Sequence, residues 1–314
     1  MNRVLNEHPQ IASYGESLFW GSSYVEPGDD GRYTVDQIRA LGKRLAGNRW
    51  GPHGNGAGVL RSVDESGYNG ELHRKISKTF HSIVEPKTPT ECFQLLCDIV
   101  CESEGKVVAV EKTPHHLNWT QRILTAFPHT RFVVMMREPY EFMLSYKYQG
   151  GQLSGSANRN FKRRYHPLLA AVVWRGYRNS ADALKHQASQ QALIVHLHEI
   201  KRDEKRVLES VQHFLGVTVE PLNERVTQTN SSFTGHELRE LDAADVFWMN
   251  LIAGRLMQKH GYATRPIPRS AWPVVKSMAR LPWWGCTNLL DMRRRVKGSL
   301  LQYLVRWVRP AGSS

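Results

Sequence analysis

Two short apolar runs interrupt a chain otherwise patterned at helical spacing. Val107-Val108-Ala109-Val110 ends in charge and then at Pro114, and Phe132-Val133-Val134-Met135-Met136 ends at Arg137. Apolar runs without polar alternation fit strands covered on both faces, as in a parallel sheet. A mixed-polarity stretch from about His116 to Phe127 reads as a helix, so strand, helix and strand predict a right-handed βαβ unit. Leu193-Ile194-Val195-His196-Leu197-His198 continues as a further strand. Asp203 to Leu215 reads as a surface helix stopped by Gly216. Near the end, Leu289, Met292, Val296, Leu300, Tyr303, Leu304 and Trp307 recur at spacings of three and four. Arg293, Arg294, Arg295 and Lys297 fall largely elsewhere around that helix, which is therefore amphipathic and basic. The pattern predicts an α/β domain over residues 1–264 and a basic helical tail over 265–314.

Charge sharpens the division. The 314 residues carry +13. Ten basic residues and one acid lie from Arg265 onward, so the tail alone carries +9 and the rest only +4. With Trp272, Trp283, Trp284, Tyr303 and Trp307, the tail has two open readings: attachment to an anionic membrane surface, or packing on the domain with its cations exposed. No nucleic-acid reading motif accompanies it, so no specific nucleic acid is expected. The first residues are polar, and no stretch approaches eighteen apolar residues. The expected location is cytoplasmic, at most peripheral at the inner face of a membrane. Cys92, Cys97 and Cys101 share one predicted helix and lack zinc-ligand spacing, so they read as a packed face. The glycine-rich stretch from Gly51 to Gly58 has no preceding strand and no Lys-Ser/Thr after it, and reads as a mobile surface loop.

Polar clusters close both strands. In open parallel sheets, ligands bind beyond the carboxyl ends of the strands. Glu111-Lys112-Thr113-Pro114 and Arg137-Glu138-Pro139, with Ser145 eight residues after the arginine, sit at two such ends and are expected to face one crevice. A guanidinium fork and a hydroxyl two turns into the next helix suit a phosphate. The competing reading pairs Arg137 with Glu138 or another acid.

These motifs, in order with His8-Pro9-Gln10-Ile11, Tyr14-Gly15-Glu16, Phe214-Leu215-Gly216 and Gly261-Tyr262, resemble the sulfotransferases that use 3′-phosphoadenosine 5′-phosphosulfate (PAPS). The resemblance spans roughly residues 1 to 262. It implies a P-loop-NTPase-like parallel sheet flanked by helices, and sulfuryl transfer from PAPS, without a metal, to a hydroxyl or amine on a carbohydrate, lipid or small molecule. It assigns Lys112 to the sulfuryl group or its leaving oxygen, and Arg137 and Ser145 to the 3′-phosphate. Glu16 is the first candidate for general base and His115 the second. Phe19, Trp20, Tyr24 and the stretch from Val25 to Pro89 are expected to include the acceptor-binding walls and any lid.

One departure stands out. The family's first strand and phosphate loop, of the type Gly-x-x-Arg/Lys-Ser-Gly-Thr-Thr, would lie ahead of the segment that begins here at Met1, so the expected sheet lacks its first strand. Met1 to Glu7 reads as the remainder of the helix after that loop. Either the coding start lies upstream, or the chain is truncated, poorly soluble or weak in nucleotide binding. Two alternative functions stay open: a catalytically impaired relative acting as a binding or membrane-associated protein, and a P-loop kinase-like phosphotransferase. The absence of Gly-x-x-x-x-Gly-Lys-Ser/Thr weighs against the latter. His196, His198 and Glu199 could hold a metal but read better as structural. Lys162-Arg163-Arg164 reads as a solvated helix start, or as a contact for the donor or an acidic acceptor.

Overall fold

The computed structural model describes residues 1–21, 23–47, 70–148, 162–223, 226 and 240–295. The chain divides into two compact units, Met1–Thr130 with Leu208–Thr229 and Arg131–Val207 with Asn230–Ser314. The glycine-rich stretch 51–58 and the tail positions 296–307 lie outside the described residues.

The first unit holds α1 (Asn2–Asn6), β1 (Ile11–Tyr14), α2 (Val35–Gly47), α3 (Gly70–His81), α4 (Pro89–Glu104), β2 (Val108–Glu111), a 3₁₀ turn (Pro114–Trp119) and α5 (Thr120–Ala126). β1 and β2 pair in parallel, from Ile11 opposite Val108 to Tyr14 opposite Glu111. Every residue of β1 is buried. α4 starts sharply because Thr88 and Glu91 form a reciprocal capping box with Pro89 in the first turn, and it stops at Gly105, whose φ of 64° is left-handed. Along α4, Cys92 is buried and Cys97 hydrogen-bonds the Tyr14 hydroxyl at 3.3 Å. Burial pushes both thiols up to about 12. Cys101 moves the same way, mainly through burial, and Cys286 is exposed. Between α2 and α3 the backbone comes so close that a Cβ on Gly42 would stand 2.2 Å from the Cβ of Phe80. Thr218 is tied to the approach of β1: His8 Nε2 donates to the Thr218 carbonyl at 2.8 Å, and the side-chain carbonyl of Gln10 accepts the Thr218 amide at 3.0 Å.

The second unit holds β3 (Phe132–Met136), α6 (Pro139–Lys147), α7 (Pro167–Gln187), β4 (Ala192–His196), α8 (Leu197–Arg202), α10 (Ala243–Lys259) and α11 (Trp272–Arg295); α9 (Glu204–Leu215) crosses the division between the units. β3 and β4 pair in parallel, from Phe132 opposite Ala192 to Met136 opposite His196. Tyr140, Met143, Ala170, Ala171, Trp174, Met249, Ala253 and Met257 form the core of α6, α7 and α10. Alanines at the crossing let the helices approach, and methionines fill the gaps between aromatic rings. α10 begins at Asp242, which accepts the amides of Ala244 and Asp245. Lys147 then pairs with Asp242 at 3.0 Å and with buried Asp245 at 2.5 Å, and the Tyr165 hydroxyl donates to Asp245 at 2.5 Å.

The first turns of the tail helix dock. His166 Nε2 donates to the Ser277 carbonyl at 3.0 Å, Trp248 Nε1 donates to Ser277 Oγ at 2.9 Å, and Trp284 Nε1 donates to the Arg164 carbonyl at 2.8 Å. Arg280 reaches the Arg163 carbonyl at 2.6 Å.

Parallel strands flanked by helices are the α/β class the sequence predicts, and the 132–136 strand has the predicted bounds. Three local expectations change. The 107–110 and 132–136 runs do not pair with each other: β2 pairs with β1 and β3 with β4. Apolar periodicity marks a strand but not its neighbour. The helix expected from His116 to Phe127 is a 3₁₀ turn followed by α5, because Pro114 sets a tight entry. The strand expected through His198 ends at His196, which caps α8 in a capping box with Glu199.

Candidate active site

Parallel pairing delivers the first cluster. Because Tyr14 stands opposite Glu111, and the Lys112 amide donates to the Tyr14 carbonyl at 3.2 Å, the chain leaves both strands side by side. Lys112 Nζ there meets Glu16 Oε1 at 2.5 Å, with both side chains about half exposed. Glu111 is placed oppositely, nearly buried at the end of β2. Its Oε1 accepts the Ser17 amide at 2.8 Å, the Ser17 hydroxyl at 2.7 Å and the Thr113 hydroxyl at 2.5 Å. Its Oε2 accepts His116 Nδ1 at 2.9 Å. Burial acts to raise the Glu111 carboxyl, but His116, Thr113 and Ser17 outweigh it and hold it below the usual carboxylate range.

The same network closes over the turn after Glu16. His116 Nε2 accepts the Trp20 amide at 3.2 Å, which with the Nδ1 donation fixes its tautomer. Thr113 Oγ1 accepts the Leu18 amide at 3.2 Å. Leu18 has a φ of 53°, a left-handed conformation that costs a branched side chain about 1–3 kcal/mol and persists only where surroundings enforce it. Here Glu111, Thr113 and His116 enforce it through the amides of Ser17, Leu18 and Trp20. His115 lies beside the Lys112–Glu16 pair: burial lowers its pKa, with Glu16 opposing and His116 and Lys112 reinforcing the shift. Its neutral, proton-accepting form is favoured.

The second unit holds the other cluster. Arg137 follows β3, its carbonyl fixed by Trp174 Nε1 at 3.1 Å. Its guanidinium donates to Ser145 Oγ at 2.5 Å from two turns along α6. Glu138 is not its partner: that carboxylate caps α6 by accepting the Glu141 amide at 2.9 Å. Glu141 pairs instead with Lys201 at 2.8 Å. Among the described residues no carboxylate forms an ion pair with Arg137. Burial lowers its pKa, and Glu141 only partly offsets that. A half-buried guanidinium whose partner is a hydroxyl retains donors for an anion.

Glu16, Lys112 and His115 are thus brought together in one unit, and Arg137 and Ser145 in the other. Phe19 and Trp20 are both 1% exposed and pack with Phe93 in an aromatic core, so they are not surface walls. His198 leaves the strand for α8, and among the described residues no group of three or more His, Cys, Asp or Glu side chains is placed to hold a metal. Sequence reasoning missed the clamp of Glu111, Thr113, His116 and Ser17. A carboxylate as the last residue of an apolar run is the only local hint of it.

A family model described as "Sulfotransferase family" matches residues 1–221. No curated protein matches the sequence. Among solved structures, the sulfotransferase domain of the Synechococcus PCC 7002 olefin synthase is 16% identical, with 84% of this chain and 90% of that one covered and a TM-score of 0.49. The sulfotransferase domain of the curacin biosynthetic pathway is 12% identical, with 88% and 92% covered and a TM-score of 0.44. A sulfotransferase from Alicyclobacillus acidocaldarius is 17% identical, with 83% and 89% covered and a TM-score of 0.39.

Proposed function

The chain belongs to the sulfotransferase family, and from that premise we propose that it moves a sulfuryl group from PAPS to a hydroxyl- or amine-bearing acceptor. The observation that carries the donor assignment is Arg137: a half-buried guanidinium bonded to Ser145 Oγ, with the neighbouring carboxylates engaged elsewhere. In this reading Arg137 and Ser145 hold the 3′-phosphate.

Transfer is an in-line displacement. The acceptor oxygen or nitrogen bonds to sulfur while the bond from sulfur to the bridging oxygen breaks, and that electron pair stays on the departing 5′-phosphate. Protein groups contribute by placing partners and neutralising charge, as in phosphoryl transfer. Lys112 neutralises the leaving oxygen. Glu16, released from Lys112 as the lysine turns to the donor, takes the acceptor proton. His115 is the second candidate base, since burial favours its neutral form. Glu111 and its partners position the turn that carries Glu16.

The test is a thermal-shift titration with 3′-phosphoadenosine 5′-phosphate, 5′-AMP and ATP, beside Arg137→Ala. A dose-dependent rise specific to the 3′-phosphorylated nucleotide and lost in the variant is expected. A rise with ATP alone, or none from a folded sample, overturns the donor assignment.

A further inference from the structure

Among the described residues, the hydrogen bonds that dock α11 come from one face. Ser277, Arg280 and Trp284 point into the second unit. At 100° per residue the opposite face carries Trp272, Val275, Met278, Ala279, Pro282, Trp283, Cys286, Leu289 and Leu290, all exposed. Trp272 is 70%, Trp283 54% and Leu290 62% exposed. From Trp272 to Leu290, at 1.5 Å per residue, this is an apolar strip about 27 Å long, larger than the isolated exposed side chains of an ordinary surface.

Charge decides what covers it. Residues 265–290 contain no aspartate or glutamate, while Arg269, Lys276 and Arg293 are exposed along and beyond the strip. A second copy of the strip would set like charges against one another. An anionic bilayer instead takes up apolar side chains, seats indole rings at headgroup depth and attracts the cations. Among the described residues no helix is long and apolar enough to cross a membrane, so the helix would lie along the surface.

We propose that the outward face of α11 binds an anionic lipid surface, with Trp272, Trp283 and Leu290 inserted and Lys276 and Arg293 at the headgroups. This goes beyond the transfer chemistry and does not depend on it. The test is co-sedimentation of the full chain with vesicles of phosphatidylcholine alone and of phosphatidylcholine with equal phosphatidylglycerol.

Binding to the mixed vesicles only is expected. The triple variant Trp272→Ser, Trp283→Ser and Leu290→Ser should weaken partitioning at least about tenfold, and Lys276→Gln or Arg293→Gln about fivefold each. Melting temperatures should be unchanged, because these side chains are exposed. No binding by the intact chain, or binding that survives the triple variant, overturns the proposal. So does self-association, or duplex nucleic-acid binding, that the triple variant abolishes while vesicles bind neither protein.

Discussion

Lys112 and Glu16, 96 positions apart in sequence, meet at 2.5 Å because β1 and β2 are paired in parallel and release the chain together. The pair is too exposed to count for much in stability. Its consequence lies in turnover: Lys112→Ala should lower kcat about 10²–10³-fold, the range for loss of one charge-stabilising donor, with little change in melting temperature. Steady-state kinetics beside a thermal melt checks both halves. A variant that melts early and keeps its kcat would place Lys112 outside the chemistry.

Glu111 should behave in the opposite way. Its carboxylate is nearly buried and serves Ser17, Thr113 and His116 at once. Glu111→Ala should cost about 1–3 kcal/mol or more by leaving the buried donors of Ser17, Thr113 and His116 without their acceptor, and Glu111→Gln less, since the amide carbonyl still accepts. Urea denaturation measures the loss. In Glu111→Gln, kcat should fall with KM little changed, because the turn bearing Glu16 shifts.

Much of this is legible in the sequence, and the gaps have physical causes. The run 132–136 marks β3 because it is uninterrupted and apolar, although the structure buries Val134 and Met136 and leaves Met135 exposed. The order of short motifs picks out Glu16 with Lys112 and Arg137 with Ser145, pairs that the structure hydrogen-bonds. Strand neighbours are not legible: a run of valines looks the same whichever strand it pairs with, so the sequence reads β2 and β3 as one βαβ unit without fixing their ladder partners, which are β1 and β4. The clamp is hidden because Ser17 and Glu111 lie 94 positions apart. Phe19 and Trp20 follow the base candidate closely in sequence, yet the turn at Leu18 directs them inward.

Arg137→Lys keeps the charge and loses the fork. Affinity for 3′-phosphoadenosine 5′-phosphate should drop about tenfold to a hundredfold, and Ser145→Ala should weaken it less. Isothermal titration separates the two. Equal affinity in Arg137→Lys would reduce the role to a point charge.

Acid should loosen α11. His166 Nδ1 accepts the Leu168 amide at 3.2 Å while Nε2 donates to Ser277, so the ring must be neutral. Burial lowers its pKa, the Ser277 bond opposes this, and Arg280 adds to the lowering. A histidine depressed in the folded state contributes stability that is complete above its ordinary value of about 6.5 and is lost as pH falls below it. Protection against hydrogen exchange across residues 272–290, relative to the intrinsic rate at each pH, should fall as pH drops below about 6.5. His166→Asn should flatten that dependence. A local readout is needed because His73, His115 and His196 are also depressed by burial and tilt the global melt the same way.

Gly42→Ala should destabilise the first unit by about 1–3 kcal/mol. The added methyl would meet Phe80 Cβ at 2.2 Å and Cγ at 2.8 Å, in a ring that is fully buried. A melt of the variant measures the loss, and Phe80→Leu in the same chain should restore part of it.

The placement of the four thiols gives the protein a ready spectroscopic handle. Cys92, Cys97 and Cys101 are held protonated by burial within α4 and should resist maleimides near neutral pH, whereas Cys286 stands in the open on α11. One fluorophore or spin label would then attach at a single defined position without removing any native cysteine, and its polarity or accessibility would register whatever environment that helix meets.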